Sequence, residues 1–337
     1  MRRATIKDVA SHAGVSFKTV SYVLNGGEKV SDRTRDAVMR AVKALDYQPH
    51  RAARAMRTGQ AYSIALVAYG ADDTPAYGNL ADPAVAVIVA AMTEVAERQG
   101  YTLSLTNFTN ADLGAYARGL AQGHFDGGIF IPFANNAAAL TPFTHAPIVV
   151  IDQPDMPEDV PVVCVDYRSG IRDAVKHLHA RGRRRIGFVG GPRDLDAYHN
   201  TERYGGYHDG LFTCGLTHDP ALVVGADFSF DGARAVFGQL MTAQPDAIVA
   251  ASDRMAIGVL REARARGLRV PEDLAIVGFD DLEVARYVDP PLTTVHHPLT
   301  LLGRRSAELI IDRLEHPAAE VAPRVTLPTH LVVRDSG

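Results

Sequence analysis

Cysteine is nearly absent: Cys164 and Cys214 are the only two in 337 residues. They have no CxxC spacing, which argues against both a disulfide framework and a thiolate metal site. Both are expected as buried free thiols in a reducing compartment. No apolar run approaches the length of about 18 residues that a membrane helix needs. The chain opens Met1-Arg-Arg-Ala-Thr-Ile-Lys-Asp, with charges where an export leader needs an apolar core. A cytoplasmic protein with no membrane partner is the expectation. Catalytic signatures are also missing. Gly190-Gly191-Pro192 follows an apolar run but lacks both GxGxxG and a GK[ST] ending. There is no GxSxG elbow, and Cys164 has no basic setting to activate it. His177-Leu-His179 and His296-His297 lack a companion ligand set. The sequence therefore predicts no enzyme, no cofactor and no metal.

A chain of this length suggests two or three domains. It is 47% hydrophobic and 22% charged, the make-up of a globular protein with a sizeable core. The net charge of −4 conceals a step. Residues 1–60 carry 12 Lys/Arg against 5 Asp/Glu, net +7, and the remainder carries 23 against 34, net −11. A basic head on an acidic body fits a polyanion-binding module joined to a different working part. A merely solvated basic face is the bland alternative.

The head has local structure legible residue by residue. Thr5 with Asp8 reads as a capping box, and Ile6, Val9 and Ala10 form the inward face of a helix to about His12. Gly14-Val15 makes a tight turn, and Ser16 starts a second helix to about Leu24. Val20, Val23 and Leu24 face inward there, leaving Phe17, Lys18, Ser21 and Tyr22 outside near the helix start. Those are the positions that a helix-turn-helix offers to a major groove. Ser31 and Asp32 start a third helix with Val38, Ala41, Val42 and Leu45 as its apolar stripe. After Pro49 a short Ala/Arg-rich segment follows, too short to hold a helix alone but able to fold on docking.

Residues 4–58 resemble the DNA-binding head of the LacI/GalR family of bacterial transcription regulators. The matching pieces are Thr5-Ile-x-Asp-Val-Ala-x-x-Ala-Gly-Val-Ser-x-x-Thr-Val-Ser, Val-Leu-Asn25, Val30-Ser-x-x-Thr-Arg35, Leu45-x-Tyr47-x-Pro49 and Ala53-Arg54-x-Met56. The resemblance implies that Phe17, Lys18 and Tyr22 read bases, with Lys18 donating to guanine and Phe17 packing on a thymine methyl. It implies that Thr5, Ser16, Thr19, Ser21, Asn25, Ser31 and Thr34 hold phosphates. It places Ala53, Arg54 and Met56 in a minor-groove hinge helix. Met56 stands where the family has a wedging leucine, and His50 where it usually has asparagine. Met is apolar and adaptable enough to wedge; ordinary core packing is its alternative.

From Ser63 onward short apolar strands alternate with amphipathic helices, which predicts parallel sheets covered on both faces. The strand runs are 63–68, 102–106, 127–131, 147–151, 162–165, 185–189, 247–250 and 274–277, too many for one small sheet. The fold class is accordingly α + α/β, with a helix-turn-helix head (1–47) and two Rossmann-like lobes; the resemblance implies a hinge helix (48–59) and makes the lobed part an effector and dimerisation domain (60–337). The first lobe is expected at about 60–165 and 296–322, the second at about 166–293 and 323–337. Residues 62–335 resemble the family's effector domain, itself similar to periplasmic binding proteins. The clearest pieces are Val165-Asp-Tyr-x-Ser-Gly170, Gly182-x-Arg-Arg-Ile-Gly-Phe-Val-Gly-Gly-Pro192, Glu202-Arg-x-x-Gly-Tyr207, Ser252-Asp-Arg-Met-Ala-Ile-Gly258 and Val277-Gly-Phe-Asp-Asp281.

Ligands of such folds bind at strand carboxyl ends between lobes. Arg203 can form a bidentate contact, and Asp280 and Asp152 can accept paired hydroxyls from opposite lobes. The resemblance adds Phe228 as a stacking ring, and Ser252 and His297 as cleft lining. Three alternatives stay open: Asp280 as a helix cap, Arg203 as a surface or interface ion pair, and His297 as a satisfied interlobe histidine. Where the family has Asn-Pro-Phe-Phe, this chain has Asp82-Pro-Ala-Val85, preceded by an unusual loop from Gly70 to Asn79. Tyr69 or Tyr77 is the substitute wall, or the ligand is bulkier. A free-standing solute-binding protein is the competing reading, disfavoured by the head and the missing leader. The expectation is an operator-binding homodimer controlled by a sugar-like effector, with no heptad tail after Leu331-Val-Val-Arg334 to make a tetramer.

Overall fold

The computed structural model describes residues 4–24, 30–47, 59–69, 82–107, 113–132, 137–143, 145–192, 197–317 and 323–337. The expected hinge 48–59 lies outside them save for Gly59, as do Asn25, His50, Ala53, Arg54, Met56 and Tyr77. The chain divides into two units, Met1–Tyr62 and Ser63–Gly337.

The first unit holds α1 (Ile6–Ala13), α2 (Phe17–Leu24) and α3 (Asp32–Ala44). The capping box is formed: the Asp8 N–H donates to Thr5 Oγ1 at 3.4 Å, and the Thr5 N–H donates to the Asp8 carboxylate at 2.7 Å. Gly14 ends α1 at φ 65°, a left-handed conformation that a side chain resists. Val9, Ala10, Val20, Val23, Val38 and Ala41 form the buried centre, with Leu24, Val42 and Leu45 packed on it.

The second unit is built on two six-stranded sheets. The first contains β1 (Ser63–Tyr69), β2 (Thr102–Asn107), β3 (Gly127–Pro132), β4 (Ile148–Ile151), β5 (Val162–Val165) and, late in the chain, β11 (Arg324–Leu327). Their order is β11-β5-β4-β3-β1-β2, all parallel. The second contains β6 (Ile186–Gly190), β7 (Val223–Gly225), β8 (Ala247–Ala250), β9 (Ala275–Asp280), β10 (Thr293–His296) and β12 (His330–Val332), ordered β12-β10-β9-β8-β6-β7. Only the edge strand β12 runs antiparallel within it. Strands β3, β4, β8 and β9 are buried at every residue, because parallel crossovers put helices on both faces.

The lobe boundaries differ from the expected ones. β11 pairs in register with β5, Arg324 opposite Val162 and Leu327 opposite Val165. Residues 324–327 therefore belong to the first lobe, and the last crossing falls between Leu327 and His330. β10 carries the second lobe on to His296. The strands β7, β10, β11 and β12 were not visible as apolar runs. β7 and β12 have three residues each, and β11 alternates exposed and half-buried positions until Leu327. The helices Leu113–Ala121, Phe230–Met241 and Leu299–Glu315 also went unread.

Helix Leu299–Glu315 packs closely on helix Pro83–Arg98. A Cβ on Gly303 would lie 2.4 Å from the Ile88 carbonyl and 2.9 Å from Ala91 Cβ. Backbone cannot yield as a side chain does, so Gly303→Val should destabilise the second unit by roughly 2–3 kcal/mol. A urea titration that returned an unchanged midpoint would show that the two helices separate at no cost.

Candidate nucleic-acid interface and ligand cleft

On the head, Phe17 is 53% exposed and Tyr22 41% exposed, with Lys18 exposed beside them. These side chains stand out from α2 into solvent, where a partner can reach them. Ser16 accepts from the Thr19 N–H at 3.1 Å and Ser31 from the Thr34 N–H at 3.3 Å. Their hydroxyls, like that of Thr5, are thus helix caps first. Each sits at a helix N-terminus, where backbone N–H groups and the helix dipole favour an anion.

The cleft cluster is assembled by strand ends and helix starts of the second unit. Asp152 follows β4 at φ 52°, Asp280 ends β9 at φ 120°, and His297 follows β10. Arg203 stands in the second turn of helix Tyr198–Thr213, and Tyr167 opens helix Tyr167–Ala180. The Arg203 guanidinium lies between the Tyr167 ring at 4.2 Å and the Phe279 ring at 4.4 Å. Nη1 donates to the His199 carbonyl at 3.0 Å, and Nη2 is 3.8 Å from Asp280 Oδ1. Asp152 accepts from the Tyr167 hydroxyl at 2.5 Å and from the Val165 N–H at 3.1 Å. His297 Nδ1 lies 3.2 Å from Asp280 Oδ1, and its ring meets Tyr167 and Phe279 nearly edge-on.

Asp152, Arg203, Asp280 and His297 are each no more than 7% exposed. Burial pushes Asp152 up to about 6 against the opposing hydrogen bonds of Tyr167 and Val165. Burial pushes Asp280 up to about 7, with Arg203 pulling the other way. Burial and Arg203 hold His297 well below its ordinary value and His199 down to about 3, so both rings are neutral. Two buried polar atoms, Arg203 Nε and His297 Nε2, have no hydrogen-bond partner among the described residues. Such atoms are costly to leave unpaired, and they give the site an open donor and an open ring nitrogen.

The structure therefore brings Asp152, Arg203, Asp280 and His297 together. Phe228 is linked less directly: at φ 59° its ring packs over Gly191 and faces His199 at 5.6 Å. Ser252 is buried and spends its hydroxyl on capping helix Asp253–Ala265, accepting from the Met255 N–H at 3.2 Å. β1 ends at Tyr69, whose side chain lies outside the described residues. Of the open alternatives, Asp280 ends β9 and also accepts from the Asp253 N–H at the start of helix Asp253–Ala265, while burial beside Asp280 excludes a surface ion pair for Arg203. Cys164 is buried as expected, whereas Cys214 is only half-buried because it caps the exposed end of its helix.

Sequence reasoning missed Tyr167, His199, Phe279 and Asp253. Tyr167 and Phe279 stood inside quoted motifs without a role. Asp253, wholly buried, accepts from the Thr294 hydroxyl at 2.5 Å and the Leu282 N–H at 2.8 Å, which ties the start of helix Asp253–Ala265 to β10 and to the turn after β9. Among the described residues no His/Cys/Asp/Glu group is placed to hold a metal ion, and no helix is long and apolar enough to cross a membrane.

Residues 5–50 match the model of bacterial regulatory proteins of the lacI family, and residues 175–337 match a periplasmic binding protein-like domain. The chain is 38% identical to the HTH-type transcriptional regulator CelR of Thermobifida fusca, over 100% of this chain and 99% of that one. The chain belongs to the lacI family. A second relative, the HTH-type transcriptional repressor CytR of Escherichia coli K12, is 30% identical over 99% and 96% of the two chains. Among solved structures, the CelR–cellobiose complex superposes with a TM-score of 0.72 at 36% identity, covering 99% and 100%. The Lac repressor bound to ONPG gives 0.79 at 28%, covering all of both chains. This lacI-family member is a DNA-binding transcriptional regulator rather than an enzyme, as its relatives are.

The raised Asp280 gives a pH signature. Between about pH 4 and pH 7 the folded protein keeps a proton that the unfolded chain has released, so this group's contribution to stability falls as pH rises through that window. Asp280→Asn removes the effect. The stability of the variant relative to the parent should rise by roughly 2–4 kcal/mol from pH 4 to pH 7.5 and then level off. Melting curves whose difference stays constant over that range would mean that Asp280 is ionised throughout.

Proposed function

We propose that this regulator is a cytoplasmic repressor that binds a palindromic operator as a homodimer and is controlled by a sugar in the cleft of its second unit. The observation that carries the sugar reading is the buried Arg203 cluster. It combines two carboxylates, a guanidinium and a neutral imidazole with unpaired polar atoms and flanking rings. Hydroxyl pairs satisfy such a set, and Phe228 offers a ring to an apolar sugar face. The relative whose structure holds cellobiose supports a glucose disaccharide as the first candidate.

In the head, Lys18, Phe17 and Tyr22 are the base-reading set. Thr5, Ser16, Thr19, Ser21, Asn25, Ser31 and Thr34 hold phosphates, and Ala53, Arg54 and Met56 act in the minor groove. The expected lobes and hinge couple the two functions by population shift: the sugar must bind unequally to the operator-binding and operator-releasing states.

A thermal-shift screen of cellobiose, other sugars and nucleosides tests the effector class, because a cleft ligand raises the melting point by mass action. Arg203→Ala should lose that shift and the effector response while keeping operator affinity within about threefold. A variant that still responds would remove Arg203 from the site. On DNA, Lys18→Ala should cost about 1–3 kcal/mol on the specific site and much less on random sequence. Equal losses would make Lys18 a phosphate contact. Operator affinity should also fall steeply with salt, as the +7 head displaces counterions.

A further inference from the structure

The residues of the Arg203 cluster are sealed, so a ligand reaches them only if the two lobes part. Three contacts of the described residues join the lobes around that cluster. Two lie on the side of the first crossing. The Tyr167 hydroxyl donates to Asp152, whose other oxygen accepts from Val165 at the end of β5. Tyr198 packs on the first lobe's apolar cluster around Tyr116 and Phe130.

The third is an ion pair. Arg254 Nη1 donates to Asp82 Oδ2 at 3.1 Å, across 172 residues of sequence. Both partners are held at the starts of helices. Asp82 caps helix Pro83–Arg98, its Oδ1 accepting from the Ala84 N–H at 2.8 Å, which fixes the direction of Oδ2. Arg254 is the second residue of helix Asp253–Ala265, whose first residue is the buried Asp253. Neither partner has another hydrogen bond or ion pair from its free atoms among the described residues. The pair is half-buried, in contrast to the sealed groups behind it. It also lies close to them: the Asp82 charge bears on both Asp280 and His297, and the Arg254 charge on Asp280. Asp82 is the residue that stands where the resemblance leads one to expect asparagine, and a neutral amide there makes no ion pair.

We propose that the Asp82–Arg254 ion pair is a latch that holds the two lobes shut over the Arg203 site, and that it breaks each time a ligand enters. The latch is independent of which ligand the cleft takes, and so is its test. Spin labels at the exposed positions Glu97 and Arg261, one per lobe, report the interlobe distance in the full chain, with Cys214 changed to serine and labelled protomers diluted in unlabelled protein. Asp82→Asn keeps the helix cap and removes the charge. Asp82→Asn and Arg254→Ala should each raise the ratio of long to short distances at least threefold, on the order expected for a partly buried pair. The double variant should show no more than either single change, because the second substitution has no partner left to lose. Arg254→Lys should keep the short distance. Superimposable distributions in all variants would overturn the proposal, as would additive effects in the double variant or opening by Arg254→Lys equal to that by Arg254→Ala.

Discussion

Everything in the second unit converges on one buried cation. Removing a guanidinium from water costs several kcal/mol unless its surroundings replace the lost hydration. Around Arg203 the replacement comes from two aromatic faces, the His199 carbonyl and the nearby Asp280 carboxylate. They come from three parts of the second lobe. Tyr167 opens one helix, Phe279 and Asp280 end β9, and His199 shares a helix with Arg203 itself. The cluster can form only when these elements are in register, so the fold's topology and the candidate ligand site are one constraint. The 3.8 Å separation from Asp280 and the unpaired Nε show that the hydration is not fully replaced. The remainder is what a polar ligand can supply.

The parallel sheets explain why the polar groups collect there. Strands buried on both faces leave no interior room for charge, and the chain puts its polar residues where strands stop and helices begin. Asp152 and Asp280 follow this rule with left-handed backbone, at φ 52° and 120°. The turn points each carboxylate back over the strand ends instead of out to water. Asp253 makes the arrangement stiff. Its carboxylate accepts from Leu282 and Thr294 and its own N–H donates to Asp280, so the Asp280–Asp281 turn is fixed by a wholly buried residue. Preorganisation of this kind lowers the ordering cost of binding.

The sequence was most readable where a short-range rule decides the outcome. The capping box at Thr5 and Asp8, the left-handed Gly14 and the apolar spacing of Val20, Val23, Val38 and Ala41 are all local, and the head is legible from them. Continuous apolar runs likewise marked β3, β4 and β8. Legibility failed where pairing is distant. β11 is recognisable only beside β5, some 160 residues away, so nothing local marks residues 324–327 as part of the first lobe. Tyr167 and Asp152 are 15 residues apart, Arg203 and Asp280 77 apart, and Asp82 and Arg254 172 apart. No periodicity encodes such contacts. Strand-end position and residue chemistry named Asp152, Arg203 and Asp280, and the family match added His297. Neither route pointed to Tyr167, which touches three of the four.

A switch needs two arrangements of nearly equal free energy, and the sealed cleft carries terms of both signs. A half-buried ion pair contributes up to about 1 kcal/mol toward closure, and the Tyr167–Asp152 hydrogen bond acts in the same direction. Against them stand Arg203 Nε and His297 Nε2, each of which costs about 1–3 kcal/mol while it is buried without a partner. Opening the lobes to water relieves that cost, and so does a ligand that bonds both atoms inside the closed cleft. The same two atoms therefore oppose closure without a ligand and reward it with one. That difference is the unequal affinity a population shift requires. It would arise in this cleft because Arg203 Nε and His297 Nε2 are buried without a hydrogen-bond partner among the described residues.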